Sequence, residues 1–227
     1  MIMLDHVSAE EVGIQIEHRH PRPIPKRKVI EWTVPGRSGK LYRWLDAWDN
    51  VRLKYDIAVS WRRGELSAMI DKAVNWLTRD GLRRLEDDAD PGVFYLVTYV
   101  GGTELKPVLH IGKRATIEFD AMPQRWLKEG ERSISFAAAG SLRNPTGNPS
   151  KPLITLRGSG AGTVTLGGKT LSVSECSGLT LDCETCQRSD SSVTVTGDWP
   201  TLAEGDTAVS FTGGIQSVEI IPRWYAI

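Results

Sequence analysis

The sequence predicts a mainly β protein with one helix, built as a β-rich α+β first domain followed by a β-sandwich or jelly roll. Short runs rich in β-branched and aromatic residues recur along the 227 residues. Only residues 65–79 space their apolar side chains as an amphipathic helix does. Beyond residue 144, short β-type runs alternate with glycine turns, as in a sandwich. Hydrophobic residues at 40% and charged residues at 25% are typical of a folded globular chain.

In the first part of the chain, strands are predicted where β-branched and aromatic residues cluster. A proline-rich segment at residues 20–25 forms a linker, because proline fixes φ and lacks an N–H. Residues 35–39, Pro-Gly-Arg-Ser-Gly, form a turn in which proline fixes φ and glycine permits positive φ. The predicted strands are residues 12–16, 29–34, 51–61, 94–100, 108–111 and 114–120.

The predicted helix covers residues 65–79, and Gly81 follows at a position typical of a helix C-terminus. Its apolar residues recur at spacings of three and four and should form one stripe. We expect this stripe to pack on a sheet. Its members are Leu66, Met69, Ile70, Ala73, Val74 and Leu77.

An irregular connector at residues 144–152 contains three prolines and marks the predicted domain boundary. The first domain is expected to span residues 1–143 and the second residues 144–220. No helical period appears after the connector, so a β-sandwich is predicted there. Its strands are expected at residues 153–157, 162–166, 169–174, 179–183, 192–196, 206–211 and 217–222.

Charge and apolar runs limit the classes of partner. The formal net charge is zero, with 23 Lys and Arg against 20 Asp and Glu up to residue 143, and 5 against 8 afterwards. Sequence-specific nucleic-acid binding is not expected, because it usually requires a strongly basic field. No apolar run approaches the ~20 residues of a membrane span, and no signal-peptide pattern opens the chain. We therefore expect synthesis in a cytoplasm without membrane insertion.

Two segments suggest cofactor chemistry but favour structural interpretations. Residues 167–170, Gly-Gly-Lys-Thr, resemble the end of a phosphate-binding loop, yet Thr163 stands where its first glycine belongs and a strand pattern follows. We predict a β-hairpin turn there. Cys176, Cys183 and Cys186 lie close together, but a structural zinc site needs four ligands and the nearest histidine is His110. We predict that Cys183 is a packed side chain and that the chain binds no metal or cofactor.

No catalytic constellation stands out, so the chain is predicted not to be an enzyme. The acidic run Glu86, Asp87, Asp88 and Asp90 precedes Pro-Gly and is predicted to be a solvated loop. A hydrolase using these paired carboxylates is an alternative. No Gly-x-Ser-x-Gly motif occurs.

Eight tryptophans are many for this length. Trp32 and Trp61 lie inside strand patterns and are predicted to be core residues. Trp44 and Trp48 flank Asp46 in an irregular stretch, where exposure and contact with a partner are expected. Because aromatic rings also stack on sugars, a carbohydrate-binding module is an alternative.

Four motifs, in their order along the chain, resemble the distal tail protein family of long-tailed, non-contractile (siphovirus-type) bacteriophages. They are the turn at residues 34–39, the helix end with its following glycine and acidic loop, the Phe-x-x-x-Pro-x-Arg pattern within residues 119–127, and the C-terminal run from 181 to 225. The resemblance spans nearly the whole chain. One departure is that residues 144–227 leave no room for the carbohydrate-binding insertion of some relatives.

The resemblance implies a structural component of the tail tip or baseplate of a phage or prophage. Residues 1–143, completed by a C-terminal strand at 220–227, would form a homo-hexameric ring, and residues 144–220 would project as the galectin-like domain. The ring would join the tail-tube protein to the tail-tip (tail-associated) protein in the virion, after assembly in the host cytoplasm. Subunit or partner contacts are expected from Pro35, Gly36, Arg37, Trp44, Trp48, Arg125, Trp126, Arg223 and Trp224.

Overall fold

A computed structural model describes residues 1–60, 66–101, 106–108 and 112–227. Their chain forms two compact units, Met1–Arg125 together with Ile227, and Trp126–Ala226. The predicted domain limits, with a boundary at residues 143 and 144 and a C-terminal strand that completes the first domain, remain predictions. In the described ranges, no helix is long and apolar enough to cross a membrane.

The first unit is an antiparallel sheet with one helix and one separate hairpin. Along the main sheet the strands follow the order β2-β1-β7-β8-β10-β6-β3, and β9 pairs with β10. The hairpin consists of β4 and β5. The elements are β1 (Ile2–Leu4), β2 (Val7–Ser8), β3 (Ile14–Arg19), β4 (Arg27–Thr33), β5 (Lys40–Trp48), β6 (Val51–Ser60), α1 (Leu66–Leu77), β7 (Arg83–Asp87), β8 (Val93–Tyr99), β9 (Lys106–Val108) and β10 (Gly112–Ala121).

The core of the first unit follows from strand alternation. Every second residue of β6 from Val51 to Val59 is buried, because successive side chains of a strand point to opposite faces. In the paired strand β10, Ile117 and Phe119 lie opposite Tyr55 and Leu53 and are also buried. The predicted strands at 51–61 and 114–120 are thus confirmed over their described residues, while Trp61 lies outside them.

The single predicted helix is confirmed, but its buried stripe differs from the predicted one. Ala73, Trp76 and Leu77 are buried, whereas Val74 is exposed. The indole Nε1 of Trp76 donates a hydrogen bond to the carbonyl of Val7 at 3.2 Å. The large Trp76 ring therefore sets which face of the helix turns inward, and Val74 was wrongly assigned to the core.

The second unit is a β-sandwich, as the sequence predicts. Its first strand begins at Arg125, the last residue of the first unit's main segment. A short 3-10 helix, Lys128–Glu131, follows. The strands are β11 (Arg125–Leu127), β12 (Ile134–Phe136), β13 (Gly140–Asn144), β14 (Leu153–Leu166), β15 (Lys169–Val173), β16 (Leu179–Asp182), β17 (Gln187–Arg188), β18 (Val195–Gly197), β19 (Gly205–Ile221) and β20 (Tyr225–Ala226).

Two long strands, β14 and β19, take part in both layers of the sandwich. One layer has the order β13-β19-β14-β15-β18, and the other the order β12-β19-β14-β16-β17. Side chains from both layers, including Ile154 and Leu166, share one core cluster. The sequence prediction of separate strands at 153–157 and 162–166, and at 206–211 and 217–222, was therefore wrong, because each pair is one continuous strand.

A glycine-rich corner lets these strands pass from one layer to the other. The pairing of β14 with β19 shifts register around Gly158 and Gly162. A Cβ on Gly158 would lie 2.0 Å from the carbonyl oxygen of Gly214, and one on Gly214 would lie 1.8 Å from that of Ser159. Only glycine permits this backbone approach. The glycines that resemble a break between two strands in the sequence therefore form the bend within β14 and within β19.

The glycine-lysine segment after β14 is the tight turn of a hairpin, as predicted. Leu166 pairs with Lys169 across it, and β15 continues from there. Gly167 and Gly168 both have positive φ, at 56° and 81°. This conformation suits the two central residues of a hairpin turn. The lysine begins strand β15 and is not followed by the helix that a phosphate-binding loop requires.

Candidate assembly surface

The hairpin β4–β5 is the most exposed apolar feature of the described chain. It is a two-stranded sheet in which Trp32 lies opposite Leu41, and Val29 opposite Trp44. At its tip, Gly36 and Gly39 have positive φ, which glycine adopts without strain. The predicted turn at residues 35–39 thus connects β4 to a strand that the sequence analysis missed.

Large apolar side chains are exposed on both faces of this hairpin. Directly paired residues share a face, so Tyr42 and Trp44 belong to one face and Trp32 and Leu41 to the other. The rings of Tyr42 and Trp44 stack with centroids 6.2 Å apart and are 52% and 60% exposed. Trp32 is 45% exposed, so its predicted core position was wrong. Within the described residues, β4 pairs only with β5, in a two-stranded sheet that is separate from the main sheet.

This exposure is unfavourable for an isolated molecule. A two-stranded hairpin is only marginally stable alone in water, and contiguous exposed apolar surface usually marks a contact with another molecule. The hairpin also differs in charge from the rest of the chain. From Arg27 to Trp48 it has five Lys or Arg and two Asp or Glu, so it has a balance of +3, and the remainder, in a chain of zero net charge, has −3.

Five of the nine residues predicted to make contacts lie on this hairpin. Pro35, Gly36 and Arg37 are exposed at its tip. Trp44 and Trp48 lie on β5 and not in an irregular stretch, and Trp48 is half-buried. The side chain of Arg27 lies near both of these indole rings, 5.7 and 5.8 Å from their centroids.

The other four predicted residues occupy different surroundings. Arg125 lies in the first unit and forms an ion pair with Asp90. In the second unit, the ring of Trp126 lies 5.3 Å from that of Tyr225. Trp224 is buried in the core of the second unit, and Arg223 pairs with Asp182. Whether these nine residues contact other chains remains a prediction.

The prediction of a solvated acidic loop holds for Asp88 and Asp90, which lie in the turn after β7, but was wrong for Glu86 and Asp87. Glu86 and Asp87 are buried at the end of β7. Arg19 donates from Nε to Asp87 at 2.9 Å, and the N-terminal amine pairs with Asp88 at 2.5 Å. The hydrogen bond from the N-terminal amine lowers the pKa of Asp88, which keeps this carboxylate ionised. An ionised, cation-paired carboxylate is poorly suited to general acid catalysis, which argues against the hydrolase alternative.

Cys176 and Cys183 are buried side chains, whereas Cys186 is exposed. Cys183 is buried as predicted, and burial raises the pKa of its thiol to about 12. A thiol with so high a pKa is a poor nucleophile and metal ligand at neutral pH. Across the residues that the structure describes, no group of three or more His, Cys, Asp or Glu side chains could hold a metal ion.

The second unit offers little for sugar stacking. Trp199 and Phe211 are partly buried against its core cluster, and Trp224 belongs to that cluster. The exposed large apolar residues of the described chain all come before residue 101. The carbohydrate-binding alternative therefore has no exposed aromatic platform to support it in the described part of this unit.

We expect the second unit to be less stable in acid, because protonation of Asp182 removes its ion pair with Arg223. Nη1 and Nη2 of Arg223 donate to the two carboxylate oxygens of Asp182 at 2.8 and 3.2 Å. These bonds lower the pKa of Asp182, so the stabilisation is present at neutral pH and is lost as pH falls through the folded-state pKa. Asp182→Asn should lower the free energy of unfolding by about 1 kcal/mol at pH 7.

Urea unfolding of this variant and the parent from pH 7 to pH 2 measures the effect. The difference between them should shrink towards the acid end of the range. Asp198→Asn is a matched control, because Asp198 is exposed and forms no side-chain ion pair in the described chain. If the difference in free energy of unfolding between Asp182→Asn and the parent stays constant down to pH 2, the ion pair is not the source of the stabilisation.

Over its described residues, the chain is a mainly β protein with one α-helix, an exposed apolar hairpin and a C-terminal β-sandwich. No protein-family model matches the sequence, and no curated protein matches it. Among solved structures, the chain is similar to SPP1 Dit (gp 19.1), described as a paradigm of the hub adsorption apparatus in phages that infect Gram-positive bacteria. The TM-score is 0.74 at 14% sequence identity, over 100% of this chain and 98% of that one. The mainly β fold class and the fold implied by the distal tail resemblance are thereby confirmed.

Proposed function

We propose that the chain is a non-enzymatic structural hub of a phage tail tip, in which six copies close into a ring. The ring joins the tail-tube protein to the tail-tip protein and is part of the virion after assembly in the host cytoplasm. The observation that carries this proposal is the full-length likeness to a phage hub protein, combined with an apolar hairpin that another chain must cover.

The hairpin supports a ring more readily than a symmetric dimer. In a closed ring, each subunit contacts the next head to tail, so one surface meets a different surface of its neighbour. The hairpin has a net charge of +3, and the remainder of the same chain has −3, so a contact between the hairpin and the remainder of another copy joins charges of opposite sign. A hairpin that attracts the remainder of another copy, and repels another hairpin, favours this heterologous contact.

The size of such a contact is also reasonable. Obligate interfaces often bury ~2,000 Å² or more in total. A two-stranded sheet that projects apolar side chains from both faces can be enclosed by a neighbour on two sides. The exposed rings of Trp32, Tyr42 and Trp44 would then supply the aromatic contacts that often dominate interface energy.

The particle mass of the purified chain tests the proposal. Multi-angle light scattering of the chain alone should give six times 25.1 kDa. If the ring closes only beside its partners, the complex with the tail-tube and tail-tip proteins should contain six copies of this chain. Negative-stain electron microscopy should then show sixfold rings. A chain that stays monomeric at high concentration in the presence of both partners would exclude the hexameric ring.

A further inference from the structure

A cavity of about 370 Å³ lies in the first unit, and its walls are rich in arginine. The segment that follows β3 contributes Arg22, and the start of β11 contributes Arg125. Arg19 and Lys54 add two further cations, and Asp87 and Asp90 are the acidic residues of the wall. The cavity therefore has more permanent cations than carboxylates.

The ion pairs within the cavity leave one guanidinium without a direct ion pair. Asp87 pairs with Arg19, and Asp90 pairs with Arg125. Lys54 pairs with Glu118 at 3.0 Å, which lies outside the cavity wall. In the chain as described, Arg22 forms no ion pair with any carboxylate.

The contacts that Arg22 does make leave donors unused. Its Nη2 donates to the carbonyl of Pro123 at 2.9 Å, and its guanidinium carbon lies 5.6 Å from the ring centroid of Tyr95. Its Nε is buried without a hydrogen-bond partner, as is Nε of Arg125. Its Nη1 forms no hydrogen bond within the described ranges and is the donor available to a ligand.

A half-buried cation without a direct ion pair is electrostatically unfavourable, because it loses hydration without gaining a partner. Burial lowers the pKa of Arg22 and outweighs the opposing attraction to Tyr95 and Asp90, while repulsion from Arg125 acts in the same direction as burial. An anion in the cavity would offset both the lost hydration of Arg22 and its repulsion from Arg125. Guanidinium groups bind the oxygens of carboxylate and phosphate with particularly good geometry.

We propose that this cavity is a binding site for a single oxyanion, a carboxylate or a phosphate, with Arg22 as its main ligand. The oxyanion is either free in solution or a carboxylate on a neighbouring copy of the chain. Arg125 contributes positive potential while its hydrogen bond to Asp90 holds its side chain in place.

Calorimetric titration of the full chain with inorganic phosphate and with acetate, each against chloride at equal ionic strength, tests the site. Phosphate or acetate should bind in the titration. In a separate thermal unfolding scan, the same anion should raise the unfolding midpoint more than chloride does. Arg22→Gln should weaken this binding about tenfold or more, the loss expected for one charge-assisted hydrogen bond. Arg22→Lys keeps the charge and should fold normally with intermediate affinity. Arg132→Gln is a matched control, since Arg132 is exposed and lies outside the cavity.

Sedimentation velocity in the same buffers distinguishes the two sources of the oxyanion. If a neighbouring copy supplies a carboxylate, Arg22→Gln and added phosphate should both lower the oligomeric fraction. If the ligand is a free anion, Arg22→Gln should lose the binding of phosphate or acetate while its particle size stays the same as that of the parent. Equal behaviour of the parent in all three salts, together with an unchanged particle size for Arg22→Gln, would overturn the proposal.

Discussion

Replacing Gly214 by alanine should destabilise the second unit by about 3 kcal/mol or more, at the upper end of what overpacking causes. The new Cβ would lie 1.8 Å from the carbonyl oxygen of Ser159, and this backbone atom cannot move without disturbing the pairing of β14 with β19. Since both layers of the sandwich share these two strands, the disturbance cannot stay at one edge.

Urea unfolding followed by far-ultraviolet circular dichroism measures this effect as a lower midpoint. Gly147→Ala is the matched control, because Gly147 also lacks a positive φ and a Cβ there would meet nothing within 4 Å. The control should change stability by less than about 0.5 kcal/mol, as surface substitutions usually do. A Gly214→Ala protein as stable as the control would mean that the corner can open without penalty.

Replacing Tyr42 and Trp44 together by serine should abolish self-assembly while the chain stays folded. Their stacked, exposed rings form one apolar face of the hairpin and lie outside the buried core of the folded chain. Central aromatic residues of interfaces commonly contribute 2 kcal/mol or more each, roughly, so loss of both should weaken each contact more than a hundredfold. Sedimentation velocity over a range of concentrations would show the shift to monomer.

Leu82→Ser is the control for this experiment. Leu82 is 58% exposed and lies outside the hairpin, so its replacement removes a comparable apolar group without affecting the proposed contact. Circular dichroism should be the same for both variants and the parent. If the double variant assembles as the parent does, the hairpin is not the main contact between copies.

The sequence predicted the class of fold because its signals for helix and strand are local. The helical spacing around Ala73 predicts the helix, although not its buried face, and the alternation in β6 predicts burial residue by residue. Strand β5 was missed because both of its faces contain large apolar side chains, which removes the polar alternation of a half-buried strand.

Other features depend on residues far apart in the chain and could not be predicted from the sequence. Asp87 is paired with Arg19, 68 positions earlier, so the acidic run gave no sign of its burial. Glycines in β14 and β19 resembled strand breaks, because their role depends on the approach of Gly158 to Gly214. The lack of a direct ion pair at Arg22 becomes visible only when the walls of the cavity are assembled.

The course of β14 and β19 has a consequence for how the second unit responds to load. A sandwich whose layers are built from separate strands can lose one layer while the other persists. Here 14 residues of β14 and 17 of β19 run through both layers, so neither layer can detach while its pairing with these strands lasts. The unit should therefore open in a single cooperative event, without a stable half-open intermediate.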